Sequence, residues 1–284
     1  MPPIENAVRF RLVGRSNPLI LVPAFADESG PHEFLLDSGA TRSMLSQELA
    51  SRLGIEQQAM GDAFGAGGSR QLGFVTIKSL RVGPAEQEDI TVGIVDDLAA
   101  IGDALNVRVD GLLGFDFIKN FRMKIDYQQQ IIVFYSNLQN GGSPLPSLDG
   151  VGFELTPKEP LMIVATYIND RGPFQFVVDT GAGKTVIAQD LIERIGIAVQ
   201  ERKAGMGIGG NFELARATLD SVRLSNIIVC ALPVNTGSYL DAIGSSVGAI
   251  VDGIIGNDFL RKFPTVTICG IERCIVFDKV QPSV

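Results

Sequence analysis

Histidine is almost missing from this chain. His32 is the single one in 284 residues, which leaves serine- or cysteine-based triads little imidazole to use as a base. Cysteine is scarce as well. Cys230, Cys269 and Cys274 all lie in the second half, and no Cys-x-x-Cys pair occurs. With His32 they form a nominal Cys₃His set, but without paired spacing they read as small buried apolar groups, or as reduced thiols with at most one optional bridge. No metal and no cofactor is therefore expected. Positive charge is in deficit: 24 Lys and Arg stand against 32 Asp and Glu, a net charge of −8. Nucleic-acid binding is disfavoured, because neutralising phosphates needs clustered cations. No apolar run approaches the length of a membrane span. Arg9, Arg11 and Arg15 ahead of an apolar stretch superficially resemble a secretory leader. That stretch is short, is broken by Pro23, and has an internal copy: Pro18-Leu19-Ile20-Leu21-Val22 returns as Pro160-Leu161-Met162-Ile163-Val164. A segment with a counterpart reads as a structural strand, so a cytoplasmic location is expected, with the periplasm as the alternative.

What is present is one unit written twice. Leu35-Leu36-Asp37-Ser38-Gly39-Ala40 returns 142 residues later as Val177-Val178-Asp179-Thr180-Gly181-Ala182. Asp110-Gly111-Leu112-Leu113-Gly114 returns at the same spacing as Asp252-Gly253-Ile254-Ile255-Gly256. The length also favours two domains, with boundaries at residues 1–142 and 143–284. Residues 136–144, rich in Asn, Gly and Ser, have the composition of a linker. Frequent Val, Ile and Phe, with 32 glycines and 14 prolines, point to a mainly β fold with many turns.

Each copy predicts the same order of elements. Extended segments at 10–12 and 19–25, or 153–155 and 161–167, lead to turns at Gly30-Pro31 and Gly172-Pro173. A strand then ends at the aspartate. Helical apolar spacing covers 44–53 and 186–195, each followed by a terminating glycine, Gly54 or Gly196. A glycine-rich hairpin follows at 61–74 or 203–217, then alternating strands at 75–82 and 217–224. Short helices at 115–118 and 257–260 and final strands at 131–134 and 274–277 close the copies.

Two carboxylates, one per copy, suit hydrolysis without metal or covalent intermediate. One ionised carboxylate activates a water while a protonated one donates to the carbonyl oxygen. Close approach enforces that split, because two like charges cannot both ionise, and the pair titrates as a unit. Asp37 and Asp179 are thus the candidate catalytic residues. The apolar pairs before them anchor the turn, Gly39 and Gly181 permit close approach, and the Ser38 and Thr180 hydroxyls can tie the two turns together.

These residues resemble aspartic proteases of the retropepsin type, in a fused tandem form. Aspartic proteases are themselves the known instance of two carboxyls sharing a proton. The likeness rests on Asp37-Ser38-Gly39-Ala40-Thr41, Asp179-Thr180-Gly181-Ala182, and the apolar-apolar-Gly segments ending at Gly114 and Gly256. It also rests on Gly207-Ile208-Gly209-Gly210-Asn211-Phe212, which is similar to a retroviral flap tip, with Gly65-Ala66-Gly67-Gly68 in the matching place. The Gly-x-Asp-Phe-Ile/Leu endings look more like cellular and bacterial members. The resemblance implies two homologous retropepsin-like β-barrel lobes related by a pseudo-twofold axis, with an active-site cleft between them. It implies a monomer in which both aspartates come from one chain, and a peptide or protein substrate held as an extended strand. Asp37 and Asp179 would be catalytic, Ser38, Thr180, Gly39, Gly181, Ala40 and Ala182 supporting. Gly65, Ala66, Gly67, Gly68, Gly207, Ile208, Gly209 and Gly210 would cover the substrate.

Departures from the family pattern carry expectations of their own. Thr41, Gly183, Phe115 and Asn257 stand where retroviral enzymes carry Asp and Arg, so that salt bridge is absent. Neither flap carries a tyrosine. Ala40 and Ala182 replace a hydroxyl residue, which removes a hydrogen bond to an ionised carboxylate and raises the pair's pKa values. A mildly acidic to near-neutral optimum follows. The competing reading is a catalytically silent peptide-binding or scaffold protein that keeps the fold. Asp110, Asp116, Asp252 and Asp258 read as structural, the helix-start pair as caps, and His32 as a surface turn residue.

Overall fold

The computed structural model describes residues 6–65, 68–135, 150–200, 202–207 and 210–278. The linker expected at 136–144 lies outside them. The first half runs β1 (Ala7–Arg9), β2 (Arg11–Val13), β3 (Leu19–Ala26), β4 (Ser29–Leu36), β5 (Met44–Ser46), α1 (Gln47–Arg52), β6 (Ala59–Gly65), β7 (Gly68–Val82), β8 (Ala85–Val95), α2 (Asp97–Leu105), β9 (Gly111–Leu113), α3 (Phe115–Ile118), β10 (Arg122–Asp126) and β11 (Ile131–Tyr135). The second half repeats the series, with shifts of one or two residues at the bounds of some elements. It runs β12 (Val151–Gly152), β13 (Glu154–Leu155), β14 (Met162–Ile168), β15 (Arg171–Val178), β16 (Val186–Ala188), α4 (Gln189–Arg194), β17 (Arg202–Gly207), β18 (Gly210–Leu224), β19 (Ile227–Gly237), α5 (Leu240–Val247), β20 (Gly253–Ile255), α6 (Asn257–Leu260), β21 (Thr265–Cys269) and β22 (Cys274–Asp278).

Each half builds one sheet with the same strand order. The first reads β2-β3-β4-β9-β5-β8-β7-β6 and the second β13-β14-β15-β20-β16-β19-β18-β17. An extra β3–β7 pairing returns the first sheet on itself, so that six of its strands form a closed ring. The β14–β18 pairing is its counterpart. A third sheet, β1-β11-β10-β21-β22-β12, takes strands from both halves and joins them along β10–β21, from Arg122 opposite Cys269 to Asp126 opposite Thr265. The fold is mainly β, as composition suggested.

The strands that carry the aspartates are apolar on both faces at their ends. Phe34, Leu35 and Leu36 are all buried. Phe34 and Leu36 enter the large core shared by the halves, while Leu35 enters a smaller one confined to the first half. Phe176, Val177 and Val178 are buried likewise. A continuous apolar run is what a doubly covered strand requires, and each such side chain contributes roughly 1.5–3 kcal/mol on burial.

Three local expectations need correction. The segments read as helices at 44–53 and 186–195 begin as strands, β5 and β16, because Met44 and Val186 pair with β9 and β20 before the chain turns helical. Ser46 then caps α1, its Oγ accepting from the Leu49 N–H at 3.1 Å. The turns are not at Gly30-Pro31 and Gly172-Pro173, which lie inside β4 and β15. They fall at Asp27-Glu28 and Asn169-Asp170, all four at positive φ, a conformation Asp and Asn tolerate well. His32 accordingly sits in β4, where its Nε2 meets Ser29 Oγ at 3.2 Å.

Helices α2 and α5 had no counterpart in the expected order of elements. Each lies against the hairpin of the opposite half: α2 against β17, and α5 against β6. No helix of the described residues is long and apolar enough to cross a membrane.

Candidate active site

Asp37 and Asp179 extend their strands by one hydrogen bond each. The Asp37 N–H donates to Leu113 O and the Asp179 N–H to Ile255 O, both at 3.0 Å. The parallel neighbours β9 and β20 supply those carbonyls. The apolar-apolar-Gly segment is thus the rail beside the aspartate turn. One step further, Phe115 N–H donates to Ala40 O and Asn257 N–H to Ala182 O, each at 2.7 Å.

The two turns meet through a reciprocal set of four bonds. Ser38 N–H donates to Thr180 Oγ1 and Thr180 N–H to Ser38 Oγ, both at 3.0 Å. Ser38 Oγ donates to Val178 O and Thr180 Oγ1 to Leu36 O, both at 2.9 Å. Both hydroxyl residues are fully buried, so each has its donor and acceptor needs met by the other half.

This seam brings the carboxyls together. The Gly39 N–H lies 3.1 Å from Asp37 Oδ1 and 3.2 Å from Asp179 Oδ1, so the two side chains share one donor. Asp37 Oδ1 also accepts from Ala40 N–H at 3.0 Å, and Asp179 Oδ1 from Gly181 N–H at 2.7 Å. The glycines are required by proximity rather than by positive φ. A Cβ on Gly39 would fall 2.3 Å from Asp179 Cγ, and one on Gly181 2.4 Å from Asp37 Cγ.

Both aspartates keep partial solvent access, yet burial dominates their ionisation. The Asp37 pKa is pushed well above the ordinary carboxylate value, first by burial and then by the charge and hydrogen bond of Asp179, against the pull of the Ala40 and Gly39 N–H groups. The Asp179 pKa is also raised by burial, while the Asp37 hydrogen bond and the Gly181, Ala182 and Gly39 N–H groups oppose it. The ionisation of each carboxyl therefore depends on the other. Such an arrangement can accept a proton at one oxygen and release one from the other.

A second anchor went unread in the sequence. Ser43 Oγ accepts from Gly114 N–H at 3.0 Å and donates to Asp116 Oδ1 at 2.8 Å. Thr185 Oγ1 repeats this with Gly256 N–H at 3.1 Å and Asp258 Oδ1 at 2.8 Å. Both hydroxyls are fully buried. Asp116 and Asp258 are therefore not N-caps, a position held by Gly114 and Gly256. The signal was the duplicated Ser/Thr six residues after each aspartate.

Of the expected flap residues, Gly65 faces Gly68 and Gly207 faces Gly210 as the last pairs of the two hairpins. Ala66, Gly67, Ile208 and Gly209 lie outside the described residues. Cys269 and Cys274 are buried cross-strand neighbours and Cys230 is exposed. Among the described residues, no group of three metal-ligating side chains forms.

A β fold made of two like halves, with one aspartate from each at their seam, defines a class. The family model described as "Aspartyl protease" matches residues 22–117 and 164–259, and the chain belongs to that family. Asp37 and Asp179 fall one in each matched stretch. Among solved structures the chain is weakly similar to a retropepsin-like aspartic protease from Rickettsia conorii. The identity is 20%, over 44% of this chain and 88% of that one, with a TM-score of 0.34. A search of curated proteins found no match.

Proposed function

We propose that the chain is an aspartic endopeptidase of tandem retropepsin type, in which Asp37 and Asp179 together activate one water. The observation that carries this is the Gly39 N–H shared by two carboxyls from different halves. One carboxylate takes a proton from the water as it attacks the scissile carbonyl. The other, protonated, gives its proton to the carbonyl oxygen, and the roles reverse as the tetrahedral intermediate collapses. Ser38 and Thr180 hold the two turns in register, which limits the motion of the carboxyls and favours catalysis by fixed geometry. Gly39 and Gly181 offer backbone oxygens to an extended peptide, and the hairpins ending at 65–68 and 207–210 cover it.

In this reading residues 1–142 and 143–284 are two lobes about a pseudo-twofold axis, paired within a cytoplasmic monomer. Raised pKa values on both aspartates favour a mildly acidic to near-neutral optimum over a strongly acidic one. The test is cleavage of a mixed peptide library across pH by wild type, Asp37→Asn and Asp179→Asn. Cleavage by wild type and its loss in both variants is the expected result. Peptide binding by wild type without cleavage at any pH would instead establish a silent binding protein.

A further inference from the structure

A row of residues crosses the sheet that joins the halves. Arg122, Cys269, Cys274 and Gly152 stand each directly opposite the next on β10, β21, β22 and β12. Directly opposite residues project to the same face of a sheet. Gly270 N–H donates to Phe121 O at 3.3 Å, and Phe153 N–H donates to Arg273 O at 3.0 Å. These bonds flank the outer pairs, Arg122–Cys269 and Gly152–Cys274, so the peptide groups of the two cysteines point at each other. Cys269–Cys274 is therefore a hydrogen-bonded pair, with Cα atoms about 5.5 Å apart. A disulfide spans roughly 4.4–6.8 Å between Cα atoms. The Cβ atoms need to close by about 1 Å from the usual strand-pair spacing, and they do so next to a turn at 270–273 rather than in mid-strand.

The two thiols are not equally reachable. Cys269 has no exposed surface, and Cys274 keeps 8%. Beyond Cys274 the row ends at the exposed Gly152, where an added Cβ would meet nothing within 4 Å. That side is open to a small molecule. On the other side stands Arg122, whose Nε is buried without a hydrogen-bond partner among the described residues. The Cys269 thiol is pushed up to about 12, first by burial, then by Cys274 and by Glu272, against the pull of the Arg122 guanidinium. Cys269 is thus held protonated at rest, and on ionising it gives Arg122 a charged acceptor. The equivalent row of the first half runs Thr265, Asp126, Ile131 and Arg9. It holds no thiol, and its outer end carries a long side chain where the second half has glycine.

We propose that Cys269 and Cys274 are a site of reversible oxidation by hydrogen peroxide, in which Cys274 reacts first, from the Gly152 side, and Cys269 then closes a disulfide. The Cys274 thiolate attacks one peroxide oxygen. The O–O bond breaks, the departing hydroxide takes up a proton and leaves as water, and Cys274 becomes a sulfenic acid. Cys269 gives up its proton and attacks the Cys274 sulfur. The S–O bond breaks, and the hydroxide leaves with that proton as a second water. Two thiols are oxidised and one peroxide is reduced to two waters. The bridge closes where the hairpin of the second half meets the first, since a Cβ on Gly270 would fall 2.3 Å from Lys119 O.

The test is peroxide treatment of the folded chain, followed by alkylation in denaturant and peptide mass mapping. Wild type should show a bridge between residues 269 and 274 that dithiothreitol reverses. Cys269→Ser should leave residue 274 as a sulfenic acid that dimedone traps, whereas Cys274→Ser should leave Cys269 reduced. Gly152→Arg, which installs the residue found at the equivalent position 9, should slow bridge formation by about tenfold or more while keeping both thiols. Both thiols still open to alkylation after a treatment that oxidises the exposed Cys230 overturns the proposal. So does dimedone trapping on Cys269 in the Cys274→Ser chain, or bridging in Gly152→Arg at the wild-type rate. None of these readouts depends on peptidase activity.

Discussion

The two halves are tied alike at the aspartate turns and differently at the positions just beyond the rail glycines. Phe115 and Asn257 are repeat counterparts directly after the rail glycine, and both are fully buried. Phe115 sends an apolar ring across to Phe153, edge to face at 6.4 Å between centroids. Asn257 instead donates from Nδ2 to Pro18 O at 2.8 Å and accepts from the Tyr127 hydroxyl at 2.8 Å. At this pair of positions one joint is made by packing and the other by hydrogen bonds. The aspartate turns, by contrast, are tied by a reciprocal set in which each bond has its counterpart. The hydroxyl cross-tie keeps the symmetry of the repeat, while the joints around it differ in chemistry.

The sharpest way to break this comparison is at the aspartates. If the halves contribute equally, Asp37→Asn and Asp179→Asn each lower kcat by roughly 10²–10⁴-fold, the usual share of acid–base catalysis. Loss in one variant alone would mean a single working carboxyl. The same variants report on stability. An aspartate with a raised folded-state pKa binds more protons folded than unfolded between the ordinary carboxylate value and its raised value. Wild-type stability therefore falls as pH rises through that window. Above it, either Asn variant should be more stable than wild type, because it removes a buried like-charge repulsion. At roughly 2–4 °C in Tm per kcal/mol for a chain of this size, thermal melts at several pH values resolve the difference.

The hydroxyl cross-tie comes next. Ser38→Ala and Thr180→Ala each leave a buried N–H and a carbonyl without partners, at about 1–3 kcal/mol for each group left unsatisfied. Equal losses in urea titrations support the reciprocal set, and a loss in only one contradicts it. Asn257→Leu orphans the Tyr127 hydroxyl and Pro18 carbonyl at a comparable cost. Phe115→Leu gives up an edge-to-face contact of only about 0.5–1.5 kcal/mol beyond its area. Equal costs would show that the two joints are not different in kind. The smallest contrast lies at Asp110 and Asp252. Asp110 is held by Arg108 Nε at 2.6 Å, Arg52 Nη2 at 3.2 Å and Glu33 N–H at 3.0 Å. Asp252 accepts from Gln175 N–H at 2.8 Å and meets Arg194 only at 3.9 Å. Asp110→Asn should therefore cost more, about 1–3 kcal/mol, and Asp252→Asn less than about 1 kcal/mol.

Much of this was legible in the sequence because duplication turns weak patterns into registered pairs. Asp37 and Asp179, Ser38 and Thr180, and the rails at Leu112-Leu113 and Ile254-Ile255 stood out by spacing alone. Helices α2 and α5 did not, although Leu98, Ile101, Gly102 and Leu105 follow helical spacing. Gly102 and Gly244 mask the pattern, since glycine weakens a helix interior. They are there because a Cβ would strike Val107 O or Ala249 O at 2.6 Å. The strand starts of β5 and β16 were hidden for another reason. Their pairing partners β8, β9, β19 and β20 are distant in sequence, and a three-residue strand carries no period of its own. The Asn257 joint was unreadable because Pro18 and Tyr127 are paired with it only by the fold.

The central claim is that two carboxyls from separate halves behave as one acid–base unit. Carboxyl-carbon NMR titration of Asp37 and Asp179 in the intact chain tests it most directly. Two linked transitions, both above the ordinary aspartate value, are expected, and Asp37→Asn should collapse them to a single transition displaced from its wild-type position. Two independent titrations at the ordinary value, with Asp179 indifferent to the change at residue 37, would contradict it.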